Sequence, residues 1–435
     1  MTEEPKPQLI RERLDVCELD RARMSLMNPA LIEQKKNERT IDENAKPVLE
    51  VMLREGIETV WDRFEMQQPS CKYCLAGTSC SRCTMGPCRI IPPNRIRGVC
   101  GADADLIVSR NLLDLIATGS AAHSDHGRDI AETLYLVGMG KTQDYAISDK
   151  EKLKRISEEF GIKTDGKKPE QLAAELGGAM LDEYGMRKNT LQFLNRAPKA
   201  TREMWSKLGI TPRGIDREVV DSMHRVQMGV GADYVNILLQ GLRTSLSDGW
   251  GGSMIGTEVS DILFGTPTIK SSTMNLAVMK ADHVNISVHG HNPVLSEVIV
   301  KAVADPELKA LAQKYGAKGI NLVGMCCTGS ELMMRKGIPM TGNHLNQELI
   351  IATGALEAMV VDYQCIFPSL PRTASCFHTL IISTSSKATI PGSYFFDFHA
   401  EDAYLTAKAI VRMAVENYKN RNPQRVLIRE NQYRS

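Results

Sequence analysis

The 435 residues carry 53 basic and 52 acidic side chains, a formal charge of +1, so no charged face points to nucleic acid or an anionic membrane as partner. Hydrophobic residues make up 43%, and no apolar run approaches the ~18 residues of a membrane-spanning helix. Eleven cysteines, behind an N-terminus (MTEEPKPQLIRERLD) that reads as neither signal nor transit peptide, point to metals in a cytoplasmic protein rather than to disulfides.

The first ~70 residues read as polar and helical. From Ala45 to Phe64, Val48, Val51, Met52, Ile57, Val60, Trp61 and Phe64 fall near helical spacing, with a break at Gly56. Cys17, alone in a charged stretch, reads as a bystander.

Six cysteines then follow within thirty residues: Cys71, Cys74, Cys80, Cys83, Cys88 and Cys100, at intervals of three, six, three, five and twelve. Thiolate is a soft ligand for iron or zinc, and a C-x2-C pair brings two sulfurs to one metal with little strain. Cys80, Cys83 and Cys88 form a compact C-x2-C-x4-C run that Cys100 can close, and four thiolates suffice for a [4Fe-4S] cluster. Cys71 and Cys74 are left as half of a second four-thiolate site, which a two-fold dimer would complete. Structural zinc is the competing reading, but its C-x2-C pairs are usually separated by a longer finger than the five residues here.

Beyond Cys100 a second helical pattern carries Leu106, Ile107, Leu112, Leu113, Leu115 and Ile116 on an apolar face. His123 and His126, three apart in AAHSDHGR, point the same way if helical and could bind a metal or relay protons. The bland alternative is a solvated helix start capped by Ser124 and Asp125. Residues 140–220 read as short amphipathic helices without evident chemistry, Pro169 to Leu181 among them.

The pattern changes near Asp248. SDGWGGSMIGTEVSDILFGTP holds five glycines in twenty-one residues, which permits tight turns and close backbone approach to a cofactor. β-Branched runs then alternate with helical sequence: HVNISVHG, Pro293 to Leu311 with a break at Pro306, GINLVGMCCTG, LEAMVVDYQC and TLIISTS. That alternation predicts a parallel sheet flanked by helices, with ligands beyond the carboxyl ends of the strands. His289 and His291 end the first strand, Cys326 and Cys327 the second, Cys365 the third. One such cysteine is usually a small hydrophobe, whereas three ends bearing Cys or His favour a metal site.

The stretches CSRCTMGPCRI, AAHSDHGRD, DGWGGSMIGTEVSDILFGTP, VHGHNP, GMCCTGSE and VDYQCIFPSLPRTASCFHT resemble, in order and spacing, the catalytic subunit of anaerobic nickel-containing carbon monoxide dehydrogenase. The resemblance implies a homodimer that oxidises CO with water to CO2, protons and electrons at a Ni-Fe-S cluster. Electrons would leave through a [4Fe-4S] cluster in each subunit and a cluster bridging the two. It implies Cys80, Cys83, Cys88 and Cys100 as the [4Fe-4S] ligands, with Cys71 at the bridge. Ser79 stands where many members carry Cys71's partner, so Cys74 is the expected companion, as in members with an intersubunit [2Fe-2S] rather than [4Fe-4S] cluster. His291, with His289 left open, and Cys327 and Cys365 resemble ligands of the Ni-Fe-S cluster. Asp248 and His123 resemble proton-handling groups, and His126 continues toward solvent, where Asp129 and Glu132 then replace the later histidines. A ferredoxin-like acceptor and a nickel-insertion accessory protein are the implied partners.

The expected architecture is multidomain, α and α/β. A helical iron-sulfur domain over 1–250, with its cysteine loop at 71–100, precedes a Rossmann-like parallel-sheet domain over 251–405. Residues 406–435 are expected to be a connecting helix and the start of a missing third domain. The resemblance places three further cysteine ligands and a catalytic lysine there. With only His291, Cys327 and Cys365 the Ni-Fe-S cluster would be half ligated, so a truncated or short form is expected, with an electron-transfer or scaffold role as the alternative.

Overall fold

The computed structural model describes residues 4–11, 28–186 and 190–428; Cys17 lies outside them. The chain divides into two units, Met1–Gln67 with Thr266–Ser435, and Gln68–Gly265. This differs from the expected boundaries. The helix Lys46–Glu55 buries Val48, Leu49, Met52 and Leu53 in the same apolar core as the sheet residues Val323, Met359 and Val361, so the N-terminal segment belongs with the sheet.

In chain order the strands are β1 (Gln8–Leu9), β2 (Ser79–Cys80), β3 (Cys88–Arg89), β4 (Val284–Gly290), β5 (Ile320–Met325), β6 (Met340–Gly342), β7 (Leu356–Val361), β8 (Leu380–Ser383) and β9 (Tyr394–Phe395). Seven form one sheet in the order β1-β9-β8-β7-β4-β5-β6, parallel except for the edge pair β1–β9. Every residue of β4 and β7 is buried, as expected of parallel strands covered on both faces. From β4 the chain moves outward through β5 and β6, then returns on the other side with β7, β8 and β9. The topological switch point is therefore the β4–β7 boundary, where open α/β sheets bind their ligands.

The helix Ala403–Asn417, expected to lead away, instead buries Ala407, Ile410, Val411, Ala414 and Val415, and Asn417 donates to the carbonyls of Glu357 and His378. It is a covering helix of the sheet unit.

The other unit is helical around Ala104–Gly138, a 35-residue helix capped by Asp103, whose side chain accepts from Leu106 N–H. Its apolar stripe runs through Ile107, Leu113, Ala117, Ile130, Ala131 and Leu134. A π-turn, Asp248–Gly252, leads into the helix Ser253–Phe264, so the glycine-rich stretch ends this unit rather than opening the sheet unit. The close approach these glycines permit is between helices. A Cβ on Gly252 would stand 2.3 Å from Ser124 Cα, and one on Gly127 would stand 2.1 Å from the Gly252 carbonyl oxygen. Among the described residues no helix is long and apolar enough to cross a membrane.

Candidate metal centres

The cysteine loop is organised by a two-residue hairpin in which Cys80 pairs with Cys88 and Ser79 with Arg89. Cys80, Cys83, Cys88 and Cys100 line one small cavity with Ile107 and Arg110, and all four are free thiols. The Cys88 sulfur accepts from Val99 N–H at 3.4 Å. Cys100 is held below the usual thiol range, chiefly by the Ala102 N–H and secondarily by the Arg110 guanidinium. A cavity walled by four thiols, one of them biased toward thiolate, fits a four-thiolate cluster.

Cys71 caps the single helical turn Lys72–Leu75. Its thiol is lowered by the N–H and thiol of Cys74 and by the Tyr73 N–H, with a further contribution from Arg89, whose guanidinium lies 5.6 Å from the Tyr73 ring centre. Ser79 Oγ lies 3.5 Å from the Cys74 sulfur. Cys71 and Cys74 are both free and exposed.

In the same unit, His123 and His126 sit in the middle of the long helix, not at its start, with ring centres 5.9 Å apart. Asp248 opens the π-turn. Its Oδ1 accepts from Ser253 Oγ at 3.1 Å and Ser124 Oγ at 3.3 Å, leaving Oδ2 3.6 Å from His123 Nδ1. Burial pushes the Asp248 carboxyl up, against the opposing pull of His123 and the two hydroxyls. A carboxyl-imidazole pair of this kind can hold and pass a proton.

The sheet unit carries the second set of soft ligands. Register aligns His289 with Met325 of β5 and Val361 of β7, and Gly290 bridges to Cys326, so three strand ends finish level. Cys326, Gln364 and Cys365 all adopt left-handed backbone (φ +57°, +64° and +59°), a costly conformation for residues with a Cβ and one that clusters at functional sites. His291 Nε2 lies 3.9 Å from the Cys365 sulfur. His289 is fully buried, with Nε2 turned 3.2 Å from both Gln347 Oε1 and the Cys365 carbonyl, and burial lowers it to about 4. Cys326 is pushed up to about 12 by burial and then by its neighbours Cys365 and Cys327; burial raises Cys327 and Cys365 as well. These three are protonated thiols that a bound cation would deprotonate.

Among the described residues a compact donor set is Cys326, His344 and Cys365, whose ligand atoms all lie within 4.8 Å of one another. Strand-end reasoning names Cys326 and Cys327 alike, the resemblance gives the ligand role to Cys327, and both miss His344 altogether. His344 follows β6, a strand of three residues too short to show in a sequence pattern, although the same carboxyl-end rule applies to it. Asp362 is also missed: the buried residue after β7 accepts from the His291 N–H at 2.6 Å and the Asn292 N–H at 2.8 Å.

The sequence matches the Prismane/CO dehydrogenase family over residues 78–430. The chain belongs to that family. Among curated relatives, carbon monoxide dehydrogenase 1 of Methanosarcina mazei is 52% identical over 401 residues, covering 92% of this chain and 64% of the relative. Carbon monoxide dehydrogenase 1 of Carboxydothermus hydrogenoformans is 45% identical over 395 residues, covering 89% and 62%. Among solved structures, the Ni-free, as-isolated carbon monoxide dehydrogenase of Thermococcus sp. AM4 superposes with a TM-score of 0.89 at 49% identity, covering 91% of this chain and 63% of that one. Carbon monoxide dehydrogenase IV of C. hydrogenoformans gives 0.87 at 42% identity, covering 90% and 62%. The chain thus spans less than two thirds of the length of these relatives.

Proposed function

We propose that this chain is the cluster-bearing part of a cytoplasmic nickel-iron-sulfur carbon monoxide dehydrogenase, catalysing CO + H2O → CO2 + 2 H+ + 2 e−. The observation that carries the reading is the convergence of His291, Cys365 and their neighbouring thiols at the switch point of the sheet, in a family member that also encloses a four-thiol cavity. In this reading Cys80, Cys83, Cys88 and Cys100 hold a [4Fe-4S] cluster. Cys71 and Cys74, with the same pair of a second copy, hold a [2Fe-2S] or [4Fe-4S] bridge. The exposure of both thiols, with Leu75, Met85, Ile96 and Val99 also exposed nearby in the chain, supports the homodimer.

His291, Cys327 and Cys365 hold part of a Ni-Fe-S cluster, which when bound supplies the sites for CO and for a hydroxide made accessible near neutral pH. His291 rather than His289 takes the ligand role, because His289 is enclosed and its Nε2 is engaged. Asp248 and His123 accept protons, the hydroxyls of Ser124 and Ser253 orient the carboxylate, and His126 takes the proton onward. A ferredoxin-like protein takes up the electrons, and a nickel-insertion accessory protein loads the site.

A second reading, electron transfer or scaffolding, draws support from the four thiols of the helical unit, a full ligand complement, against the sparser strand-end set. Metal analysis of anaerobically purified protein with a CO-dependent viologen assay separates the two. Nickel with CO-dependent reduction supports the dehydrogenase. Iron for one cluster per chain and one bridge per dimer, without nickel or reduction, sinks it for this chain.

A further inference from the structure

We infer that Asp362 is the positioning residue of the strand-end metal site. Its buried carboxylate, interlocked with Gly290, aims the His291 imidazole; the inference rests on the proposed role of His291 as a metal ligand. The geometry is specific. Asp362 directly follows β7, and its own N–H donates to the His289 carbonyl at 3.2 Å, extending the β4–β7 pairing by one residue. Its Oδ1 accepts from the N–H of His291 at 2.6 Å and from that of Tyr363, and its Oδ2 accepts from Asn292 N–H at 2.8 Å. The turn after β4 is thus wrapped around one carboxylate, 2% exposed, from the neighbouring strand.

Gly290 completes the fit. Its φ is +132°, and a Cβ built there would lie 1.8 Å from Asp362 Oδ1, so the carboxylate occupies the space a side chain would take. The imidazole is fixed from the same strand end. His291 Nδ1 stands 3.2 Å from the Tyr363 carbonyl, an oxygen that can only accept, and Nε2 lies 3.9 Å from Cys365 Sγ. Backbone and ring of His291 are therefore held by two consecutive residues, Asp362 and Tyr363, which stand three and two positions before Cys365. A carboxylate that only stabilised the turn would contribute to folding. One that aims the ligand also sets metal affinity, and outer partners of ligating histidines are typically worth about 10- to 100-fold in affinity.

The test uses the full chain, purified anaerobically without added metal and titrated with Co2+ alone. Imidazole scattering in the cobalt X-ray absorption spectrum is the readout. The cysteine loop offers thiolates only, but His123 and His126 could also take cobalt, so only the imidazole scattering that His291→Ala removes is assigned to the strand-end site. Asp362→Ala is expected to raise the Kd of the imidazole-bearing site about 10- to 100-fold. Gly290→Ala should act in the same direction, and Asp362→Asn, which keeps one acceptor oxygen, should recover part of the loss. Circular dichroism and the thermal midpoint monitor folding; if Asp362→Ala does not fold, Asp362→Asn and Gly290→Ala carry the test. A Kd within about twofold of the parent and an unchanged imidazole signal in these variants, while His291→Ala abolishes that signal, would overturn the positioning role and leave the ligand reading intact. An unchanged signal in His291→Ala overturns the ligand reading itself, and His344→Ala against His123→Ala then shows which imidazole holds the cobalt.

Discussion

The two soft-ligand regions reach the same chemistry by opposite routes. In the cysteine loop, six thiols lie within thirty residues, mostly exposed or half-buried, and Cys71 and Cys100 are biased toward thiolate by nearby N–H groups and guanidinium charge. At the strand ends, His291, Cys326, His344 and Cys365 come from four separate connections, and burial holds the thiols protonated. A local site depends on short-range spacing and can present thiolate before metal arrives. A site assembled by topology depends on the sheet and needs the cation to displace the proton.

The largest expected effect separates the two regions by cofactor. Cys83→Ser should abolish the internal cluster, with loss of its iron and of its share of the broad absorbance near 400 nm, because three thiolates remain for a four-thiolate site. Cys327→Ser should leave that absorbance unchanged. If Cys83→Ser retains full iron, the loop is not a cluster site and the comparison fails.

Thiol reactivity sharpens it next. In metal-free chain at pH 7.5, alkylation followed by mass spectrometry should show Cys71 and Cys100 reacting about 100-fold faster than Cys326. The thiolate attacks, and although lower basicity reduces its nucleophilicity, its much larger population dominates. With Cys326 near 12, its rate should climb about tenfold per pH unit from 7 to 11, while Cys71 and Cys100, whose thiols are lowered, level off at lower pH than an ordinary thiol. Equal rates would show that burial does not hold the strand-end thiol.

Stability distinguishes local from topological assembly. Gly324 in β5 meets Gly329 of the helix Cys326–Lys336, and a Cβ on Gly324 would stand 2.4 Å from Gly329 Cα. Gly324→Ala should therefore cost about 1–3 kcal/mol in urea unfolding of the sheet unit, as overpacking against backbone does. It should leave the loop's iron content unchanged.

The same contrast decides what could be read from the residues. The clustering of the loop thiols is legible because they are near neighbours in the chain, and the parallel sheet because β-branched runs alternate with helical sequence. His344 was not, since β6 has only three residues, and Asp362 was not, since its role exists only once β4 and β7 are adjacent. The boundary near 250 was misplaced for a related reason. The glycines at 249, 251, 252 and 256 resemble a cofactor turn, yet Gly252 serves the approach of Ser124 from a helix over a hundred residues earlier. Lys46–Glu55 showed its apolar face plainly, but periodicity does not name the surface that face meets.

The smallest effect tests why the loop's thiols are biased. Cys100 owes its lowering first to the Ala102 N–H and only then to Arg110. Arg110→Gln should therefore move the midpoint of the Cys100 alkylation profile upward by a fraction of a pH unit, with a rate near pH 7 reduced about two- to threefold, because the backbone donor remains. Arg110 also donates to the Gly231 carbonyl, so the substitution removes a structural bond as well. The midpoint is the informative quantity, since loosening alone would speed alkylation without raising it. A shift beyond one unit would mean that the guanidinium, not the backbone, sets the thiolate. The loop's readiness would then rest on a side chain rather than on the local turn.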